Sequence, residues 1–190
     1  MRAIKWKIEM SIIYLVGGRA SGKTTIGLEL AKRLRFSFVD LDHLLCEDMG
    51  MSVAEIVEAC GWDGFREHES RILAMVTTSY GNEEQNVVLA CGGGIVERSA
   101  NIDLMRGHGS VIWLAPDVAV QAARLGANPL SAQRPSLTGR DILAELAEIM
   151  ERRAPMYGKA AHARVDSAAP VEAVCDEIMR VYDKNRGNWH

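Results

Sequence analysis

The chain has little that would staple or anchor it from outside its own core. Its 190 residues hold four cysteines, Cys46, Cys60, Cys91 and Cys175, all far apart. No CxxC pair and no Cys/His cluster with zinc-ligand spacing occurs. That excludes a disulfide framework and a structural zinc site, and the thiols read as free in a reducing compartment. No apolar run approaches the ~18 to 20 residues needed to span a bilayer. The N-terminal MRAIKWKIEMSIIYLV has too short an apolar part for a signal peptide and lacks a small-residue cleavage site. These absences point to a cytoplasmic protein with no membrane partner, in which residues 1–9 extend ahead of the first strand. The net charge of -3 lacks the strong basic bias of a general nucleic-acid binder. Internal repeats, low-complexity tracts and a clear apolar patch are also missing, so the expectation is one domain over residues 1–190, acting as a monomer.

What is present is a regular alternation of short apolar runs and longer amphipathic segments. Strands are expected at Ser11 to Val16, Phe36 to Leu41, Asn86 to Cys91, Ser110 to Ala115 and Ala163 to Asp166. Helices are expected at Thr24 to Leu34, Asp42 to Met49, Val53 to Cys60, Phe65 to Tyr80, Ala100 to Arg106, Asp117 to Leu125 and Asp141 to Tyr157, with a last one opened by Pro170. Strands separated by helices, with no Asn-Gly hairpin signal, argue for a parallel sheet covered by helices on both faces. Ligands of such folds sit beyond the carboxyl ends of the strands, so the residues that follow each strand carry the functional information.

After the first strand comes Gly17-x-x-x-x-Gly22-Lys23-Thr24, a phosphate loop in its strand–loop–helix setting. Its glycines let successive N–H groups face one point, and the helix adds its positive end. Gly17, Ala20, Ser21, Gly22, Lys23, Thr24 and Thr25 are the candidate nucleotide contacts, with Lys23 on the terminal phosphates and Thr24 on Mg²⁺. After the second strand come Asp40 and Asp42, an i, i+2 pair that faces one side if both lie on the strand. One would serve a metal and the other an acceptor hydroxyl; equally, Asp42 is well placed to cap the next helix. After the third strand come Gly92, Gly93 and Gly94, read either as a tight turn or as a place where backbone approaches a ligand closely. Gly126 to Arg140 has no period and contains Arg134-Pro135. It reads either as a surface loop or as a lid that brings an arginine to a transferring phosphate. Taken alone, Arg66 and Arg153 read as solvated charges on helices.

Two further absences narrow the class. There is no Asn-Lys-x-Asp base reader of a GTPase, and the run VIWLAPD, which would have to supply the acidic strand end of a motor ATPase, reaches Asp117 only past a proline that a helix start explains better. A small P-loop kinase remains. In order along the chain stand the phosphate loop, FVDLD (38–42), GFREHE (64–69), CGGG (91–94), RPSLTG (134–139) and RRAPMY (152–157). With these six motifs the sequence resembles the shikimate kinases from about Met10 to Tyr182, most closely the type II form.

The resemblance implies an α/β fold of the P-loop, nucleoside-monophosphate-kinase-like type: a three-layer sandwich around a parallel five-stranded sheet. It implies transfer of the γ-phosphate of ATP to shikimate, with Mg²⁺, in the route to chorismate and the aromatic amino acids. Asp42 is then the residue that binds the shikimate hydroxyls and takes the proton of the attacking one, and Asp40 lies near Mg²⁺. Arg66 and Arg153 hold the shikimate carboxylate, and Gly93 within Gly92 to Gly94 touches the substrate. Arg134 reaches the ATP phosphates from a lid of about 126–140, Arg124 lies near the adenine, and residues of about 42–70 form the shikimate-binding region. Leu41 and Cys91 depart from the residues common in the family, and Gly81 to Asn86 reads as a short polar insertion. A gluconate-type kinase of the same fold and a non-catalytic nucleotide sensor are the rival readings.

Overall fold

The computed structural model describes residues 12–82, 85–127 and 142–185. Five strands form one sheet: β1 (Ile12–Val16), β2 (Ser37–Asp40), β3 (Val87–Ala90), β4 (Gly109–Leu114) and β5 (Ala163–Val165). All neighbours pair in parallel, in the order β2-β3-β1-β4-β5. The helices are α1 (Lys23–Leu34), α2 (Leu41–Met49), α3 (Val53–Asn82), α4 (Ser99–His108), α5 (Val118–Ala127), α6 (Ile142–Ala160) and α7 (Val171–Asn185).

β1 explains the layering. Every one of its residues is buried, because it is the central strand and both of its faces are covered. Ile12, Tyr14 and Val16 point into a core completed by Leu41 and Leu45 of α2, Ile72 and Leu73 of α3, and Met105 of α4. Ile13 and Leu15, one residue out of phase, point into a second core with Ile26 and Leu30 of α1 and Ile178 of α7. Burying each such leucine or isoleucine contributes ~1.5–3 kcal/mol, which binds the sheet into a three-layer sandwich.

The structure revises several expected boundaries. β2 ends at Asp40, and Leu41 already belongs to α2, with its side chain buried in the core. Asp42 is therefore in the first turn of a helix, not on a strand. Asp40, rather than Asp42, is the cap: its Oδ1 accepts from the N–H groups of Asp42 at 3.1 Å and His43 at 3.3 Å. The two expected helices at 53–60 and 65–80 form one element, α3, bent at Gly61, whose φ of 70° and ψ of 178° only glycine adopts readily. Gly81 and Asn82 belong to that helix rather than to a loop. A 3-10 turn at Ile95–Glu97 follows the glycine triplet. Finally, α6 runs through Pro155, as expected, and beyond the expected end at Tyr157 to Ala160. The bond that Pro155 cannot donate is offset by Tyr157, which is fully buried and stacks on Trp113 at 5.6 Å between ring centroids.

Candidate active site

The phosphate loop joins β1 to α1. Gly22 caps α1 with a φ of 94°, a conformation that supplies no side-chain oxygen, and no acidic residue lies in the first turn. The first N–H groups of α1 thus have neither a side-chain cap nor a carboxylate from their own turn, which suits an anion. Lys23 folds back over the loop, donating to the carbonyls of Gly17 at 2.9 Å and Gly18 at 2.8 Å. The loop is tied from outside by Ser167, whose hydroxyl donates to Ser21 O at 2.7 Å. Arg124 on α5 adds two more ties, to Ala20 O at 3.3 Å and to Ser167 O at 2.7 Å.

A cavity of about 500 Å³ opens here, lined by Ala20 to Thr25, Asp40, Asp42 and Arg124 among others. On its wall Thr24 Oγ1 donates to Asp40 Oδ2 at 2.7 Å. A hydroxyl and a carboxylate at this separation offer hard oxygen ligands to one small cation, and two protein ligands are what Mg²⁺ commonly takes beside phosphates and waters. No group of three or more His, Cys, Asp or Glu that could hold a metal ion occurs among the described residues.

Beside it lies a smaller cavity of about 50 Å³, lined by Asp42, Phe65, Arg66, Gly93, Gly94 and Arg153 among others. The two arginines are not solvated surface charges. The Arg153 residue is 4% exposed, and the Arg66 side chain 14%. Arg66 Nη1 donates to Glu69 Oε2 at 2.8 Å and its Nε to Glu97 Oε2 at 3.0 Å. Arg153 donates from Nε to Glu97 Oε1 at 3.1 Å. The glycines make room for this. A Cβ on Gly94 would lie 2.0 Å from Arg66 Cζ, and one on Gly92 would lie 2.1 Å from Glu69 Oε1. Tyr157 donates its hydroxyl to Gly93 O at 2.5 Å and holds the triplet against α6.

Glu69 is nearly inaccessible, and its Oε1 has no hydrogen-bond partner. Burial pushes its carboxyl up to about 7 against the pull of Arg66, with Asp42 adding to the rise. It sits inside the GFREHE motif but has no marker in the sequence that sets it apart from the exposed glutamates nearby. Glu97 is likewise unmarked.

Of the sequence-derived candidates, Ala20, Ser21, Gly22, Lys23, Thr24, Thr25, Asp40 and Arg124 meet on the larger cavity, and Arg66, Gly93, Gly94 and Arg153 on the smaller. Asp42 lines both. Gly17 and Gly92 line neither. Gly17 lets β1 pass β4, since a Cβ there would lie 2.4 Å from Leu114 O, and Gly92 accommodates Glu69. Arg134 and the stretch 128–141 lie outside the described residues.

Known proteins resemble this chain over almost its whole length. The family model for shikimate kinase matches residues 19–183. A shikimate kinase 2 of Syntrophotalea carbinolica is 42% identical over 90% of this chain and 96% of that protein. One from Yersinia enterocolitica is 43% identical over 89% and 94%. Among solved structures, a shikimate kinase of Acinetobacter baumannii in complex with shikimate superimposes with a TM-score of 0.84 at 28% identity, covering 94% of this chain and 96% of that one. A gluconokinase of Sinorhizobium meliloti shares the fold alone, at 17% identity and a TM-score of 0.55. A phosphate loop at the centre of a five-stranded parallel sheet, an arginine-lined cavity against a glycine triplet, and these relatives agree: the chain belongs to the shikimate kinase family.

Proposed function

We propose that this protein transfers the γ-phosphoryl group of ATP to the 3-hydroxyl of shikimate, giving shikimate 3-phosphate and ADP. One observation carries the reading: Asp42 lines both the phosphate-loop cavity and the arginine-lined cavity, where an acceptor hydroxyl has to meet a terminal phosphate.

Phosphoryl transfer asks for alignment and charge neutralisation more than for covalent help. The phosphate loop and the N-terminus of α1 hold the triphosphate, and Lys23 exchanges the Gly17 and Gly18 carbonyls for phosphate oxygens. Thr24 and Asp40 would hold Mg²⁺, whose charge offsets that of the phosphates. Arg66 and Arg153 grip the carboxylate of the acceptor, which turns its ring toward Gly93 and Asp42. Asp42 orients the 3-hydroxyl and takes its proton as the new O–P bond forms. The bond from the γ-phosphorus to the bridging oxygen breaks, and ADP leaves with the electron pair. Arg134 keeps the role its motif implies, a further positive charge at the phosphates.

The test is ADP release from MgATP with shikimate, and with quinate and gluconate as controls. Strong stimulation by shikimate alone is the expected result. Ligand-dependent stabilisation by ATP and shikimate without any ADP release would replace the kinase with a sensor, and stimulation by gluconate alone would replace the acceptor.

A further inference from the structure

We propose that Glu97 is a positioning residue that sets the two substrate-gripping arginines for a carboxylate before it arrives. This rests on the acceptor reading above. Glu97 ends the 3-10 turn directly after the glycine triplet, where backbone hydrogen bonds such as Glu97 N–H to Gly94 O at 2.9 Å fix it. Its two oxygens reach three arginines on two helices. Oε2 accepts from Arg66 Nε at 3.0 Å. Oε1 accepts from Arg153 Nε at 3.1 Å and Arg152 Nη2 at 2.9 Å, and pairs in charge with Arg153 Nη2 at 3.0 Å.

A carboxylate so placed could either occupy the acceptor's own position or hold the arginines from another side. The cavities decide. Glu97 is not among the described residues that line the cavity of Asp42, Gly93 and Gly94. It opens instead on a separate hollow of about 340 Å³ with Glu148 and Arg152. Both arginines line both spaces, so they form the partition, and Glu97 grips it from the far side. The Nε edges are taken by Glu97, while Arg153 Nη1 lies 3.6 Å from where a Cβ on Gly93 would stand. Burial acts to raise the Glu97 carboxyl, but Arg153, Arg66 and Arg152 outweigh it and hold it below its ordinary value, so the anion persists beside them. Long arginine side chains lose much freedom when fixed, and fixing them in advance leaves less to be lost on binding.

The experiment compares wild type, Glu97→Gln and Glu97→Asp by steady-state kinetics, with shikimate and with its carboxamide. Wild-type turnover tests the acceptor reading itself; the ratios between variants test Glu97. In Glu97→Gln the KM for shikimate is expected to rise roughly tenfold, the loss of one charge-assisted contact, with the KM for ATP unchanged. The preference for shikimate over its carboxamide should shrink, which a loss of packing alone would not produce. Glu97→Asp keeps the charge and serves if the glutamine variant does not fold; its KM should fall in between. A KM for shikimate equal to or below that of wild type in either folded variant would overturn the proposal, the lower value marking Glu97 as a competing internal anion.

Discussion

Gly94→Ala is the substitution whose consequence follows most directly from the geometry. The backbone at Gly94, with φ of -98° and ψ of 2°, accepts an alanine without strain, so any effect comes from the added methyl. That methyl would stand 2.0 Å from Cζ and Nη2 of Arg66, where ordinary contact begins at 3.4 Å. The guanidinium must therefore retreat by about 1.4 Å (3.4 less 2.0). It cannot simply rotate away, because Glu69 holds Nη1 and Glu97 holds Nε. A shift of this size would break the hydrogen bond that Arg66 is proposed to make with a substrate carboxylate. A charged partner lost is worth about 1.5 to 3 kcal/mol, or roughly 10- to 150-fold in KM. The assay is coupled ADP release with shikimate varied at saturating ATP, then the reverse. The expected outcome is a KM for shikimate raised within that range and a KM for ATP unchanged. If the variant is folded and its KM for shikimate stays within about twofold of wild type, Arg66 does not hold the acceptor as argued.

Two other perturbations separate the halves of the site. Glu69 has its folded value raised to about 7 from 4.5, so its contribution to stability is whole below 4.5 and is lost as the pH rises toward 7. Glu69→Gln cannot ionise and should lack that loss; melting curves should show its Tm rising relative to wild type between pH 5 and pH 8, and a constant difference would refute a titrating Glu69. Arg124→Ala removes the ties to Ala20 O and Ser167 O. It should raise the KM for ATP and leave that for shikimate unchanged, and equal rises in both would place Arg124 in general stability rather than at the nucleotide.

The parts legible in the sequence are those whose chemistry is local. The phosphate loop declares itself because its glycines, Lys23 and Thr24 sit within one turn of chain, and β1 because its apolar run is unbroken. The two cores follow from alternation along β1, whereas the strand order is set by pairings between distant segments that no local pattern marks. Arg66 and Arg153 are different. Each is a charge on an amphipathic helix, and only the order of motifs marks them; their burial comes from α3 and α6 converging on the glycine triplet. Glu97 is invisible to any local pattern, since its meaning arises where three separate elements meet. The boundary at Leu41 was obscured by its hydrophobicity, which suits a strand and a buried helix start equally. The expected helix already runs through Pro155 to Tyr157, and the burial of Tyr157 outweighs the one backbone bond that the proline loses.

The position of β1 has a further consequence. It is hydrogen-bonded on both sides and wholly buried, so its amides exchange with solvent only when the molecule as a whole opens. β2 pairs on one side alone and exposes Ser37, so it opens at lower cost. The Thr24–Asp40 hydrogen bond joins the end of β2 to α1, the helix that the phosphate loop connects to β1. A nucleotide and its cation bound across that bond would tie an edge strand of the sheet to the helix that follows its most protected one, and the gain in order would be felt mainly at residues 37–40, some distance in sequence from the loop that does the binding.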